Sequence, residues 1–116
     1  MDTFKINKKV YHCPIELTLQ TIMGKWKAVL LWDLREEKKR YGELKKLHPN
    51  ITHKMLTQQL RELEEDGIIH RTVYAVVPPK VEYSLTDQGR EIIPILEMMG
   101  RWGSRFKLND EDKPNE

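Results

Sequence analysis

Between Asn50 and Thr86 the hydrophobic period switches from helical to alternating, and the rest of the chain can be placed around that switch. Leu56, Leu60 and Leu63 recur at helical spacing and share one face. Ahead of them, Thr52 is suited to accept a hydrogen bond from the free N–H groups of a first turn, and Ile51 can pack on Leu56 as a hydrophobic staple. Gly67 supplies the left-handed residue that ends such a helix. A helix of about four turns from Thr52 follows, roughly 20 Å long at ~1.5 Å per residue. Beyond Gly67 the apolar positions Ile69 and Val73, then Val81, Tyr83 and Leu85, mark two short strands joined through Val76, Val77, Pro78, Pro79 and Lys80. The pattern predicts a helix followed by a hairpin.

The same periodicity predicts the flanks. Pro14 suits the first position of a helix, with Cys13 at its cap, Glu16 in its first turn and Ile15, Leu19 and Ile22 on one face. Gly24 separates this from a second helix, Lys25 to about Glu37, striped by Trp26, Val29, Leu30 and Leu34. Glu36 to Arg40 is a charged connector. Tyr41, Leu44 and Leu47 mark a short third helix closed by Pro49-Asn50, so two helices and a tight turn precede the hairpin. Thr86-Asp87 caps a last helix carrying Ile92, Ile93, Leu96, Met99, Trp102 and Phe106, more apolar surface than so small a domain can hide. Pro94, Gly89, Gly100 and Gly103 weaken that helix, and a kink or a break at Pro94 are both open. The expected organisation is a polar, Lys-rich arm over residues 1–11, one domain over 12–106 and a disordered acidic tail over 107–116.

The outward face of the helix from Thr52 carries the candidate chemistry. His53, Lys54, Thr57, Gln58 and Arg61 include no acid, and long donors on a helix of that size fit the major groove of DNA. Polar residues on an outer helix face are also the ordinary solvated case. Arg71 and Lys80 are the basic residues of the hairpin, whose Pro78-Pro79 pair either stiffens its tip or merely ends a strand. A hairpin placed after a helix-turn-helix can reach the neighbouring groove or phosphates. Lys25 and Lys27 are further basic residues at the edge of a core helix, where solvation is the plainer reading.

Charge sharpens this picture modestly. The net +2 conceals an asymmetry: residues 1–61 hold thirteen Lys/Arg against six Asp/Glu, and residues 62–116 seven against twelve. A basic half ending at the reading helix is the footprint expected for nucleic acid. With 116 residues, 39% hydrophobic and 33% charged, one domain with a modest core is expected, completed by a partner surface. No apolar run approaches the ~20 residues of a membrane span, and Met1-Asp2-Thr3-Phe4-Lys5 has no signal-peptide core, so a cytoplasmic protein without membrane contact is expected.

The single cysteine excludes an internal disulfide framework. A thiolate at a helix N-terminus near Lys9 and His12 would be stabilised and more reactive; otherwise Cys13 is only a small cap or core residue. Enzyme chemistry is not expected. Ser84 and Ser104 lie in no Gly-x-Ser-x-Gly, no Gly-rich phosphate loop is present, and His12, His48, His53 and His70 lack ligand spacing, so neither a metal nor a cofactor is implied.

Motifs agree in order and spacing across residues 12–106. They are Cys13-Pro14, Gly24-Lys25-Trp26, Arg40-Tyr41-Gly42-Glu43-Leu44, the run from Leu56 to Gly67, Pro78-Pro79-Lys80-Val81-Glu82-Tyr83-Ser84-Leu85-Thr86, Gly89 and Trp102. In these the chain resembles the HxlR family of bacterial transcription regulators, related to MarR. The resemblance implies an α+β, mostly α fold: a winged helix-turn-helix with N- and C-terminal dimerisation helices. It further implies a homodimer on double-stranded operator DNA, with half-sites about one helical turn or a multiple apart. Many members carry a cysteine just before this proline, and some sense electrophiles or oxidants with it. Members locked by an intersubunit disulfide commonly need a second cysteine, absent here. The resemblance therefore leaves Cys13 alkylation, a mixed disulfide with a small thiol, a Cys13 to Cys13 bond between protomers, or no thiol response. The rival reading is a winged-helix protein–protein interaction module without DNA binding.

Overall fold

The computed structural model describes residues 2–114. Among these, five helices and two small antiparallel sheets alternate along the chain. Within the polar, Lys-rich arm expected over residues 1–11, residues 4–11 pair as a hairpin of β1 (Phe4–Ile6) and β2 (Lys9–Tyr11), with Asn7 at φ 54° in the two-residue turn. Asn tolerates that left-handed conformation better than most residues, which explains a turn with no glycine.

Helix α1 (Pro14–Ile22) begins where expected, with Cys13 as the extended cap residue and Pro14 at its first position. Helix α2 is shorter than its apolar stripe suggested, Lys27–Asp33, with Trp26 as its cap residue. Leu30, Leu31 and Leu34 are buried, whereas Val29 is 39% exposed, so the stripe divides between core and surface. The charged connector contributes a two-residue strand, β3 (Lys39–Arg40), which the sequence pattern did not reveal. Helix α3 (Tyr41–Leu47) follows directly, its first turn closed by the Arg40 N–H donating to Glu43 Oε1 at 3.0 Å.

Helix α4 (His53–Glu65) is bounded by the two devices read from sequence. Thr52 Oγ1 accepts from the Met55 N–H at 3.1 Å, and Ile51 and Leu56 are both fully buried, as a staple requires. At the other end Gly67 sits at φ 75°. Its N–H donates to Glu64 O, and the Ile68 N–H reaches back to Leu63 O at 2.9 Å, the paired bonds of a Schellman motif. Ile68 and Leu63 are buried beside each other's bond.

Strands β4 (Ile69–Tyr74) and β5 (Lys80–Leu85) form the hairpin, with Arg71 opposite Tyr83 and Thr72 opposite Glu82. β3 adds to the other edge of β5, giving the order β3-β5-β4. The hairpin thus springs from a sheet that clasps α3 and α4. Helix α5 (Asp87–Ser104) is capped by Thr86 Oγ1, which accepts from the Gly89 N–H at 3.0 Å. It runs unbroken through Pro94. Pro94 lies on the exposed side, where solvent can serve the carbonyl that loses its helical donor. Phe106 falls just beyond the helix, and a 3-10 turn at Asp110–Asp112 occupies part of the expected tail, whose last two residues lie outside the described range.

The core is one cluster, centred on Leu30, Leu31, Leu44, Leu56, Leu60 and Leu63, and it fixes α4 between α2, α3 and the hairpin. Outside it, Ile15, Leu19, Met98, Met99 and Trp102 on α1 and α5 stay between 46% and 69% exposed. Among the described residues no helix is long and apolar enough to cross a membrane.

Candidate nucleic-acid interface

With Leu56, Leu60 and Leu63 buried, the helical period turns His53, Lys54, Thr57, Gln58 and Arg61 outward together. All five are exposed and line one shallow concavity of about 530 Å³. A second concavity, about 400 Å³, continues the first from Thr57 and Arg61 towards Tyr41, Glu64, Arg71 and Tyr83. The structure therefore brings six of the seven sequence-predicted residues into one continuous surface running from α4 to the root of the wing.

Lys80 is the seventh and stands apart. Its Nζ lies 3.1 Å from Glu82 Oε1 and 5.1 Å from the centre of the Tyr74 ring. Lys38 approaches the other carboxylate oxygen at 3.7 Å. The hydrogen bond from Lys80 and the nearby Lys38 charge together hold the Glu82 carboxyl below its usual range against the opposing effect of burial. Lys80 is thus partly committed to the strands next to the wing tip, while its side chain keeps 37% exposure.

Two of the basic residues read as surface features have internal partners. Lys27 is buried and pairs with Glu62 Oε2 at 2.6 Å, so it braces α4 from α2 and is unavailable to phosphate. Glu62 also accepts from Gln58 Nε2 at 3.3 Å, which extends the brace to a residue of the exposed stripe. Lys9, expected beside the thiol, instead pairs at 3.3 Å with Asp66, the buried cap residue at the C-terminus of α4. The N-terminal hairpin is thereby fastened to the far end of the same helix.

Tyr41 was legible only as an apolar marker of α3, yet it contributes to the surface directly. Its ring stacks on His53 with centroids 5.9 Å apart and planes 10° from parallel. Its hydroxyl lies 3.0 Å from His53 Nδ1, 3.2 Å from His53 O and 3.3 Å from Thr57 Oγ1. An aromatic residue with a polar tip on the helix preceding a reading helix is the signal that could have singled it out.

Cys13 is exposed at the cap of α1, with no side-chain cap hydrogen bond. It belongs to a different surface from the α4 stripe, close to the exposed apolar face, where Pro14, Ile15, Leu19, Ile95 and Met99 line a shared hollow. Among the described residues no group of three or more His, Cys, Asp or Glu is placed to hold a metal.

Comparison with known proteins agrees with this architecture. Residues 21–111 match the family model described as HxlR-like helix-turn-helix. The HTH-type transcriptional regulator YdeP of Bacillus subtilis (strain 168) is 58% identical over 95 residues, covering 82% of this chain and 74% of that protein. Among solved structures, the redox regulator HypR in its oxidized form superposes with a TM-score of 0.79 at 52% identity, covering 84% of this chain and all of that one. A MarR-family regulator from Porphyromonas gingivalis W83 gives a TM-score of 0.79 at 36% identity, covering 90% and 100%. The fold is the winged helix of those regulators, and YdeP and the Porphyromonas gingivalis protein are described as transcriptional regulators, not enzymes. The chain belongs to the HxlR-like helix-turn-helix family of transcriptional regulators.

Proposed function

We propose that the protein is a homodimer that binds duplex operator DNA in the cytoplasm, inserting α4 of each protomer into successive major grooves. The single observation that carries this reading is the shared exposure of His53, Lys54, Thr57, Gln58 and Arg61 on one face of a helix whose opposite face is buried. Those five residues include two fixed cations and no acid, Glu64 entering only where the surface turns towards the wing, and a helix about 10–12 Å across fits a groove about 12 Å wide. Arg71 extends it towards the wing, and Lys80 serves as a phosphate contact further out on the same hairpin.

Dimerisation is supported by the apolar face of α1 and α5. Its exposed residues include Ile15, Met98, Trp102 and Phe106, each more than 60% accessible in the single chain. The radius of gyration, 16.4 Å, exceeds the roughly 13 Å of a compact 100-residue domain, as expected where a second copy completes the core. Two α4 helices related by a dimer axis call for a pseudo-palindromic operator.

Cys13 is assigned as the residue through which oxidants or electrophiles alter binding. It is exposed, caps a helix and borders the proposed dimer face, so an adduct there would change how α1 meets its neighbour. The redox regulator HypR shares the fold and is 52% identical across the 84% of this chain that it covers, which favours this assignment.

The test is a binding titration with a duplex selected from a randomised pool. Specific binding by a dimer, weakening steeply with salt, is the expected result. Indifference to every duplex would overturn the reading.

A further inference from the structure

The Tyr41 hydroxyl touches three polar atoms of the reading helix and has one proton with which to do it. His53 O can only accept, so at 3.2 Å the phenol proton goes to it. His53 Nδ1, 3.0 Å from the phenol oxygen, is then the donor to that oxygen, with the two ring planes 10° from parallel. The inventory closes when the ring proton of neutral His53 resides on Nδ1, which leaves Nε2 with its lone pair as the acceptor. Thr57 Oγ1, 3.3 Å away, donates into the second lone pair of the phenol oxygen. With its proton spent inward, Thr57 offers the outside an acceptor oxygen and a methyl group.

We infer that Tyr41 is the positioning residue of the DNA-reading surface, fixing both His53, through Nε2, and Thr57 as acceptors. This rests on the proposed reading of α4 as the DNA-reading helix. Thr57 and His53 would then both favour base edges that donate, the amino groups of adenine or cytosine. Free, both side chains would be ambivalent: an imidazole samples two tautomers and a hydroxyl rotates. A single phenol converts two ambivalent groups into a fixed pair of acceptors, and so adds discrimination without adding charge.

Two measurements test it. Nitrogen-15 NMR of the ring of His53 in the free protein is expected to show one neutral tautomer, with the proton on Nδ1; in Y41F the signals move to the average of a free imidazole. In DNA titrations, Y41F is expected to lose about threefold to tenfold in affinity for the duplex selected by wild-type protein. Its affinity for random duplex and its salt slope stay unchanged. The loss should vanish when Y41F is made in a background carrying H53A and T57V, which a merely structural role of Tyr41 would not produce. Overturning results are a ring spectrum unaltered by Y41F, or an equal loss in both backgrounds. If wild-type protein selects no duplex, the DNA-binding reading falls; the NMR arm decides the Tyr41–His53 coupling regardless.

Discussion

Lys27 Nζ lies 2.6 Å from Glu62 Oε2 across the packing of α2 on α4, with the lysine side chain 5% exposed and the glutamate 35%. The asymmetry decides what a mutation does. Removing the carboxylate strands an ammonium that water barely reaches, whereas removing the lysine frees a carboxylate that water can solvate. Glu62→Gln is therefore expected to cost about 1–3 kcal/mol, below the range for fully buried pairs because Glu62 is partly solvated. Lys27→Met should cost less. Urea unfolding of the two variants checks the order.

The same pair gives the fold an acid dependence. The Glu62 carboxyl is held below its ordinary value of 4.5, first by the hydrogen bond from Lys27. A depressed carboxyl contributes stability that is complete above its unfolded value and is lost as pH falls through the folded one. The difference between wild type and Glu62→Gln should accordingly be constant near neutrality and shrink below about pH 4.5. Urea midpoints across that range are the measurement, and a gap that widened on acidification would contradict the assignment.

Arg61 lines both concavities and joins the α4 stripe to Arg71. If it reads a base, Arg61→Ala is expected to lower operator affinity by ~1–3 kcal/mol and relax preference at one position. If it touches only phosphate, the loss should be uniform across sequences and the salt slope smaller by about one. Neither outcome should shift the thermal midpoint, since the side chain is exposed. Unchanged affinity in a mobility-shift titration would remove Arg61 from the interface.

Gly89 sits where the first turn of α5 crosses the chain leaving α4. A Cβ there would stand 2.2 Å from the carbonyl oxygen of Ile68, a backbone atom that also accepts from the Thr86 N–H. A rigid neighbour leaves no cheap relaxation. Gly89→Ala is expected to destabilise by about 1–3 kcal/mol and to lower the unfolding midpoint in calorimetry. Gly100→Ala makes the control, because nothing lies within 4 Å of its added Cβ.

What could be read from the sequence follows the range of the forces involved. The bounds of α4 were legible because Thr52, Ile51, Leu56 and Gly67 act within a few residues of one another. The outward stripe followed, since burying three leucines at helical spacing leaves only one way to face. The strand β3 was not legible: two residues have no period, and only the pairing of Lys39 with Tyr83, 44 positions on, makes them a strand. Nor were the partners of Lys27 and Lys9, which are set by how α2 and the first hairpin meet α4. The polar role of Tyr41 was hidden likewise, because its hydroxyl finds His53 and Thr57 through the turn between α3 and α4.

Cys13 is exposed and its thiol makes no cap hydrogen bond, so it is free to react. With one cysteine in the chain, the reversible products open to it are a sulfenic acid, a mixed disulfide, an adduct or a bond between two protomers. Cys13→Ser is expected to abolish any response of DNA binding to diamide or quinones while leaving binding by untreated protein unchanged. A response that survives the substitution would assign the sensing elsewhere.

Trp102 offers the sharpest test of the dimer. It packs on Phe106 with ring centroids 4.9 Å apart, and the two are 63% and 64% exposed in the single chain, an expensive arrangement for aromatic surface in water. Trp102 lies in the last turn of α5 and makes no contribution to the core cluster, so Trp102→Glu should leave the fold intact. A charge on that face would have to be buried unpaired at a symmetric interface, twice per dimer. Sedimentation is therefore expected to show a monomer with a native circular dichroism spectrum, and operator affinity should fall by orders of magnitude because the two α4 helices no longer bind as a pair. A dimer that persists in the variant would move the interface away from the end of α5.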